Sequence, residues 1–375
     1  MGLTSDKLLW SVVLAAALLF TGTVWLWPRL ARRTWRAVCG RVGLLLATQV
    51  TLFAAAGLAA NQAFGFYAGW ADLFGQEKDQ GVVVDHAAGG AALRVVGTGR
   101  VPGVTGARPE TGGRIDEVRI VGRTSRIASP AYVYLPPEYF QAEHRARDFP
   151  ASVVLTGYPG TARALVDKLR YPRTALQQAR KGRMEPMILV MLRPTVAPPR
   201  DTECVDVPDG PQTETFFAED LPEAVGGHYR VTGGRGAWGV IGNSTGGYCA
   251  LKLAMHHPEV FGAGAGLSAY YKAPVDPTTG DLFQGDEKRE NEADLGWYLE
   301  HRPAPDTSLL VSSSKRGETN YKATLDFIEN VKAAERTRIS SIILESGGHN
   351  FNTWRREIPA ALEWLGKRLA EPKRS

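Results

Sequence analysis

The chain has 375 residues, 44% of them hydrophobic and 22% charged. That length holds a membrane anchor plus one large domain, or two average domains, and the composition excludes a largely disordered or collagen-like chain. The formal charge of +5 does not point to nucleic acid, because it is confined to one end: residues 1–71 carry Lys7, Arg29, Arg32, Arg33, Arg36 and Arg41 against Asp6 alone, and the rest is balanced at 38 charges of each sign.

Residues 8–27 carry no charge, and 20 helical residues at about 1.5 Å each span about 30 Å, the thickness of the hydrocarbon core. A second uncharged run covers 42–60, and five arginines lie between the two runs. A cleaved signal peptide would place its charge first and follow a shorter apolar core with a small-residue cleavage site. Here Pro28, the arginines and a second apolar run follow instead. The pattern predicts two transmembrane helices, at about 8–28 and 42–60, rather than a signal sequence or a buried soluble hairpin. Arginines are retained on the cytoplasmic side. The predicted protein is therefore a multi-pass cell-membrane protein whose N-terminus and main domain are extracytoplasmic. Trp25, Trp27 and Trp35 suit the inner headgroup zone; Phe64, Phe66, Tyr67 and Trp70 suit the outer one.

Three cysteines are too few for a disulfide scaffold. Cys39 falls in the cytoplasmic loop. Cys204 and Cys249 share the outer compartment, either bridged or as two buried thiols; the sequence leaves both open.

Residues 72–113 read as a glycine-rich linker or lead-in, with short apolar runs at Val82–Val84 and Leu93–Val96 that fit edge strands. From 114 to 372 a regular alternation begins. Strands are predicted at Ile115–Val121, Ala131–Leu135, Ala151–Leu155, Met187–Met191, Ala237–Ile241, Leu309–Ser313 and Ile339–Leu344. Helices are predicted near 161–181 (interrupted at Pro172), 218–226, 245–256, 321–335 and 355–370. Continuous apolar strands alternating with helices predict an α/β domain, a mostly parallel sheet covered on both faces.

Gly242-Asn-Ser-Thr-Gly246 follows one apolar strand and opens a helix. A serine on such a turn presents its hydroxyl above the sheet edge, with the helix N-terminus behind it. An alcohol is a weak nucleophile until a base takes its proton, so a histidine and an orienting acid are required. His256 and His257 lie about 18 Å further along the same helix and cannot reach. His349 follows the last predicted strand after Ser346-Gly-Gly348, at the sheet edge where Ser244 must also sit. Glu318 leaves the loop after Leu309–Ser313 at that edge, whereas Asp306 precedes the strand and belongs at its opposite end. The order Ser244, Glu318, His349 is that of a hydrolase built on this architecture. The oxyanion formed on attack needs preplaced donors; the backbone N–H groups of Thr245 and of Tyr158, in the Thr156–Gly160 loop, are the candidates.

With these residues placed, the chain resembles the esterase branch of the α/β-hydrolase superfamily that holds esterase D and the antigen 85 mycolyltransferases. The resemblance runs from about 114 to 370 and rests on SPAYVYLPPEY (129–139), VVLTGYPG (153–160), TETFFAEDLPEAV (213–225), WGVIGNSTGGYCALKLAMHHPEVF (238–261) and GGHNFNTWRREIPAALEWL (347–365). It implies an α/β-hydrolase fold and a serine-dependent acyl transfer, with Ser244 as nucleophile, Glu318 as acid, His349 as base, and Tyr158 and Thr245 holding the oxyanion. Mycolyltransferases pass a long acyl chain to a sugar, and no acyl or trehalose site can be identified here. The expected function is an extracytoplasmic serine esterase acting on a small-molecule or lipid ester. The alternatives are an acyltransferase using a sugar or lipid acceptor and, behind it, a non-catalytic binding module.

Other signals are weaker. No cluster has zinc spacing and no glycine-rich loop meets the needs of a nucleotide, so no cofactor, metal or nucleic-acid partner is expected. Asp276–Glu292 lacks the alternating ligands of a calcium loop and reads as a solvated loop over the active-site face. Trp354 and Trp364 are expected to pack the last helix against the sheet, with Trp354 also placed to wall the acyl pocket.

Overall fold

A computed structural model of the chain describes residues 5–31, 34–64, 70, 92–104, 108–198, 200–234 and 236–370. Arg32, Arg33, Phe66, Tyr67 and the Val82–Val84 run lie outside the described residues. The chain divides into two units, Met1–Val84 and Asp85–Ser375.

The first unit holds helices α1 (Asp6–Leu26) and α2 (Trp35–Phe64), which pack on each other. Their contact includes the Thr23 and Thr48 hydroxyls, 3.2 Å apart, each of which also donates to a carbonyl four residues back, Leu19 and Leu44 respectively. Hydroxyls satisfied in this way cost little in an apolar setting. Both helices are long and apolar enough to cross a bilayer, and only 11% of either apolar span is buried. A soluble core hairpin would be covered; here Trp10, Leu18, Phe20 and Phe53 are exposed.

The second unit is built on nine strands: β1 (Ala92–Gly99), β2 (Arg114–Val121), β3 (Ala128–Leu135), β4 (Ala151–Leu155), β5 (Ile188–Leu192), β6 (Trp238–Asn243), β7 (Phe261–Leu267), β8 (Ser308–Ser314) and β9 (Arg338–Leu344). Their order is β1-β2-β3-β5-β4-β6-β7-β8-β9. The pairs from β1 to β5 are antiparallel, and those from β5 through β4 to β9 are parallel. In β4, β5 and β6 every residue is buried, as continuous apolar runs require when both faces are covered. Strand β1 carries the Leu93–Val96 run expected at an edge and pairs with β2.

Among the described residues the second unit's α-helices of six residues or more are α3 (Ala162–Asp167), α4 (Tyr171–Arg180), α5 (Leu221–Gly226), α6 (Thr245–His256), α7 (Glu287–Glu292), α8 (Leu295–His301), α9 (Tyr321–Lys332) and α10 (Phe351–Ala370). One core contains residues of α5, α6 and α9, and the other residues of α3, α4 and α10, which cover opposite faces of the sheet. The expected 161–181 helix breaks at Arg170, in the left-handed region (φ 58°), and Pro172 falls in the first turn of α4, where a proline loses no helical bond.

Strand β7 was not expected. Its sequence, Phe-Gly-Ala-Gly-Ala-Gly-Leu, has low strand propensity, but a side chain at Gly264 would come within 2.6 Å of the Ala250 carbonyl. The glycines let α6 lie close to the sheet. The acidic segment after β7 also differs from a solvated loop. Thr279, Leu282 and Phe283 are buried, the Arg200 guanidinium donates to the Thr279 and Asp281 carbonyls, and Asp286 caps α7 by accepting the Arg289 N–H.

Cys204 and Cys249 are joined by a disulfide with Cα atoms 5.6 Å apart and a sequence separation of 45. It ties the segment after β5 to α6. Closing a loop of this length removes about 4 kcal/mol of unfolded-state entropy. The Cys204→Ser/Cys249→Ser double variant is therefore expected to unfold at a clearly lower urea midpoint than the wild type, by a few kcal/mol.

Candidate active site

In a parallel sheet every strand delivers its following loop to the same edge. Here Tyr158 follows β4, Ser244 follows β6, Glu318 follows β8 and His349 follows β9, so four distant stretches converge. Asp306 precedes β8 and pairs with Arg338, at the start of β9, 3.4 Å away, which places it at the opposite edge as expected.

Ser244 sits between β6 and α6 at φ 56°, ψ −124°, a strained backbone costing about 1–3 kcal/mol. The turn persists because its neighbours are small. A side chain at Gly246 would meet the Thr156 carbonyl at 2.3 Å, and one at Gly157 would lie 2.9 Å from the Ser244 Cβ. The Thr156–Gly160 loop therefore rests directly against Ser244. Thr245 is the first residue of α6, and the N–H groups of a first helical turn have no intrahelical acceptor.

The structure brings Ser244, His349 and Glu318 together. His349 Nε2 lies 2.8 Å from Ser244 Oγ, and His349 Nδ1 lies 3.9 Å from Glu318 Oε1. The second separation is too long for a hydrogen bond and close enough for a strong electrostatic effect. The His349 side chain is 49% exposed and that of Glu318 1%. Desolvation lowers the imidazole below its ordinary value, and the Glu318 charge pulls it partly back. A histidine shifted in this direction is neutral at physiological pH, the form that accepts a proton.

Glu318 is held from several sides. The Ser268 hydroxyl donates to Oε1 at 2.5 Å. The Ser314 N–H donates to Oε2 at 3.1 Å, and the Ser313 hydroxyl reaches the same oxygen at 3.2 Å. Ser268 in turn accepts the Trp354 indole N–H at 2.9 Å, and Trp354 meets the His349 ring edge-on at 5.1 Å. Trp354 packs α10 as expected and is also linked through Ser268 to Glu318. Ser268 follows β7, so a reading that missed that strand had no means of placing it.

A second buried pair was also missed. The carboxyl of Glu203 lies 2.7 and 2.6 Å from the Tyr270 hydroxyl, and Tyr270 stacks on Tyr248 of α6. Burial, then the nearby Asp201, pushes Glu203 up to about 9, and burial raises Asp201 to about 6. The sequence signal was two acids just before a cysteine, Asp201-Thr-Glu-Cys204. His256 and His257 lie far along α6 as expected. There Glu214 accepts from both rings, at 2.9 and 3.1 Å, and from Lys252 at 2.5 Å.

Residues 128–365 match the family described as "Putative esterase". The chain belongs to this esterase family. An uncharacterised protein of Corynebacterium glutamicum is 26% identical over 273 residues, which cover 68% of this chain and 62% of that protein. The chain therefore matches less than two thirds of that relative's length. Among solved structures, an S-formylglutathione hydrolase from Agrobacterium tumefaciens superposes with a TM-score of 0.57 at 18% identity, over 69% of this chain and 97% of that one. Fluorophosphonate-binding serine hydrolase F of Staphylococcus aureus gives 0.53 at 16%, over 68% and 98%. A feruloyl esterase module from Clostridium thermocellum gives 0.55 at 14%, over 76% and 98%. At these identities the likeness shows the fold alone, that of an α/β-hydrolase.

Proposed function

We propose that this esterase is a membrane-anchored, extracytoplasmic serine hydrolase that cleaves carboxylic esters through an acyl-Ser244 intermediate. The observation that carries the chemistry is the 2.8 Å approach of His349 Nε2 to Ser244 Oγ. Ser244 Oγ attacks the ester carbonyl carbon while His349 Nε2 takes its proton, and the buried Glu318 carboxylate stabilises the imidazolium. The negative charge on the carbonyl oxygen is taken up by the N–H groups of Thr245 and Tyr158. Collapse breaks the bond to the alcohol, which leaves with the proton from His349. Water then repeats the sequence on the acyl-enzyme, releasing the acid and restoring Ser244.

The anchor and its orientation rest on α1, α2 and the arginines between them, and the Cys204–Cys249 bond fits an oxidising compartment. Cys39, exposed and free, is expected to be labelled by a membrane-impermeant thiol reagent only after cells are opened; labelling of intact cells would reverse the orientation. For the chemistry, a fluorophosphonate probe is expected to label the wild-type protein and leave folded Ser244→Ala unlabelled. A wild type that resists the probe and hydrolyses no ester would count against an enzymatic role.

A further inference from the structure

Behind the acid lies a second carboxyl that the reaction as written does not use. Glu357, on α10, is fully buried, and neither of its oxygens has a partner in good hydrogen-bonding geometry. The Tyr171 hydroxyl of α4 is likewise buried and unpartnered, and it feels the Glu357 charge. Helix α10 packs against α4, β6, β7 and β8. The charged and titratable groups that reach Glu357 are Glu318, Tyr171 and its own neighbour Arg356. A buried carboxylate with no cation held against it is far costlier than a neutral acid.

The Ser312 hydroxyl lies near enough to Glu357 to influence it. Ser312 is fully buried and accepts the Ser268 N–H at 3.1 Å. The Ser268 hydroxyl donates to Glu318 Oε1, the oxygen that faces His349. Ser312 is thus tied through the main chain and hydroxyl of Ser268 to the acid, and Glu357 stands beside Ser312.

We propose that Glu357 is a positioning residue that works as the neutral carboxylic acid, holding Ser312 and, through Ser312 and Ser268, the Glu318 carboxylate. In that form it has an O–H donor and keeps acceptor capacity, so it can accept from the Ser312 hydroxyl beside it without burying a charge. Ionisation puts a second negative charge behind Glu318 and removes the donor. Burial, opposed by the nearby Ser312 hydroxyl and reinforced by the Glu318 charge, pushes this group up to about 8, so the disturbance falls on the alkaline side.

The inference rests on the esterase reading and is tested on the full chain in detergent, by following kcat and KM for p-nitrophenyl acetate from about pH 5 to 10. The wild type is expected to lose kcat above about pH 8. Glu357→Gln, neutral at every pH and of the same shape, is expected to keep kcat within about threefold of wild type at neutral pH and to lack the alkaline loss. Glu357→Leu is expected to lower kcat on the order of tenfold with KM unchanged. An alkaline loss that persists in Glu357→Gln, or its absence from the wild type, overturns the proposal, as does wild-type kcat in a folded Glu357→Leu. Should Glu357→Leu not fold, the Glu357→Gln profile decides alone. A wild type inert toward both ester and fluorophosphonate would overturn the esterase reading itself.

Discussion

Ser244→Ala and His349→Ala are each expected to reduce kcat/KM for a simple ester by about 10⁴-fold or more, and the double variant is expected to be barely worse than either alone. The reason is geometric. Ser244 Oγ and His349 Nε2 are 2.8 Å apart and in the proposed reaction act as one unit, so removing either would leave the other without a task. Residual turnover would come from the oxyanion donors and binding alone. Neither change should unfold the protein. His349 is half-exposed, and truncation at Ser244 leaves the strained turn with the same Cβ. Steady-state kinetics on the three variants, with folding checked by circular dichroism, tests this. Multiplying losses in the double variant would mean that the two side chains work independently.

The second large effect belongs to Glu318. Glu318→Gln preserves shape but replaces one oxygen, an acceptor, with an NH₂ donor. In the structure Oε1 accepts from Ser268, while Oε2 accepts from the Ser314 N–H and lies by the Ser313 hydroxyl. With its NH₂ group at the Oε2 place the amide faces the Ser314 N–H, which cannot accept. At the Oε1 place the Ser268 hydroxyl must give up its donation and turn to accept, in a site 1% exposed. The imidazolium also loses its counter-charge. The expected result is a fall in kcat of about 10³–10⁴-fold and a stability loss of about 1–3 kcal/mol from the unsatisfied buried group. Wild-type kcat in Glu318→Gln would remove Glu318 from the reaction.

Much of this site was legible before any coordinates. The Ser244 turn stood out because an apolar strand preceded it and a helix followed at once, and β6 and α6 fall where those runs lie. Glu318 and His349 followed from one rule, that a parallel sheet sends its outgoing loops to a common edge, which also excluded Asp306. What escaped depends on packing. Three of the seven residues of β7 are glycine, and its low propensity is overridden because α6 needs the space; with β7 unseen, Ser268 had no address. The Glu203–Tyr270 pair joins segments 67 residues apart through a hydroxyl–carboxyl contact that no local pattern encodes. Glu357 was the nearest miss. It lies three residues after Trp354 and four before Ala361, both buried, so the helical period places it on the inward face of α10. A carboxylate there conflicts with the pattern, and that conflict was the available signal.

The proposed acyl-Ser244 intermediate can be observed directly. Rapid mixing with p-nitrophenyl acetate, acid quenching and peptide mass spectrometry should show a burst of p-nitrophenol matched by one acetyl group on the peptide that carries Ser244, with none in Ser244→Ala. Turnover without a burst, with no adduct on that peptide and with activity retained in Ser244→Ala, would contradict the account.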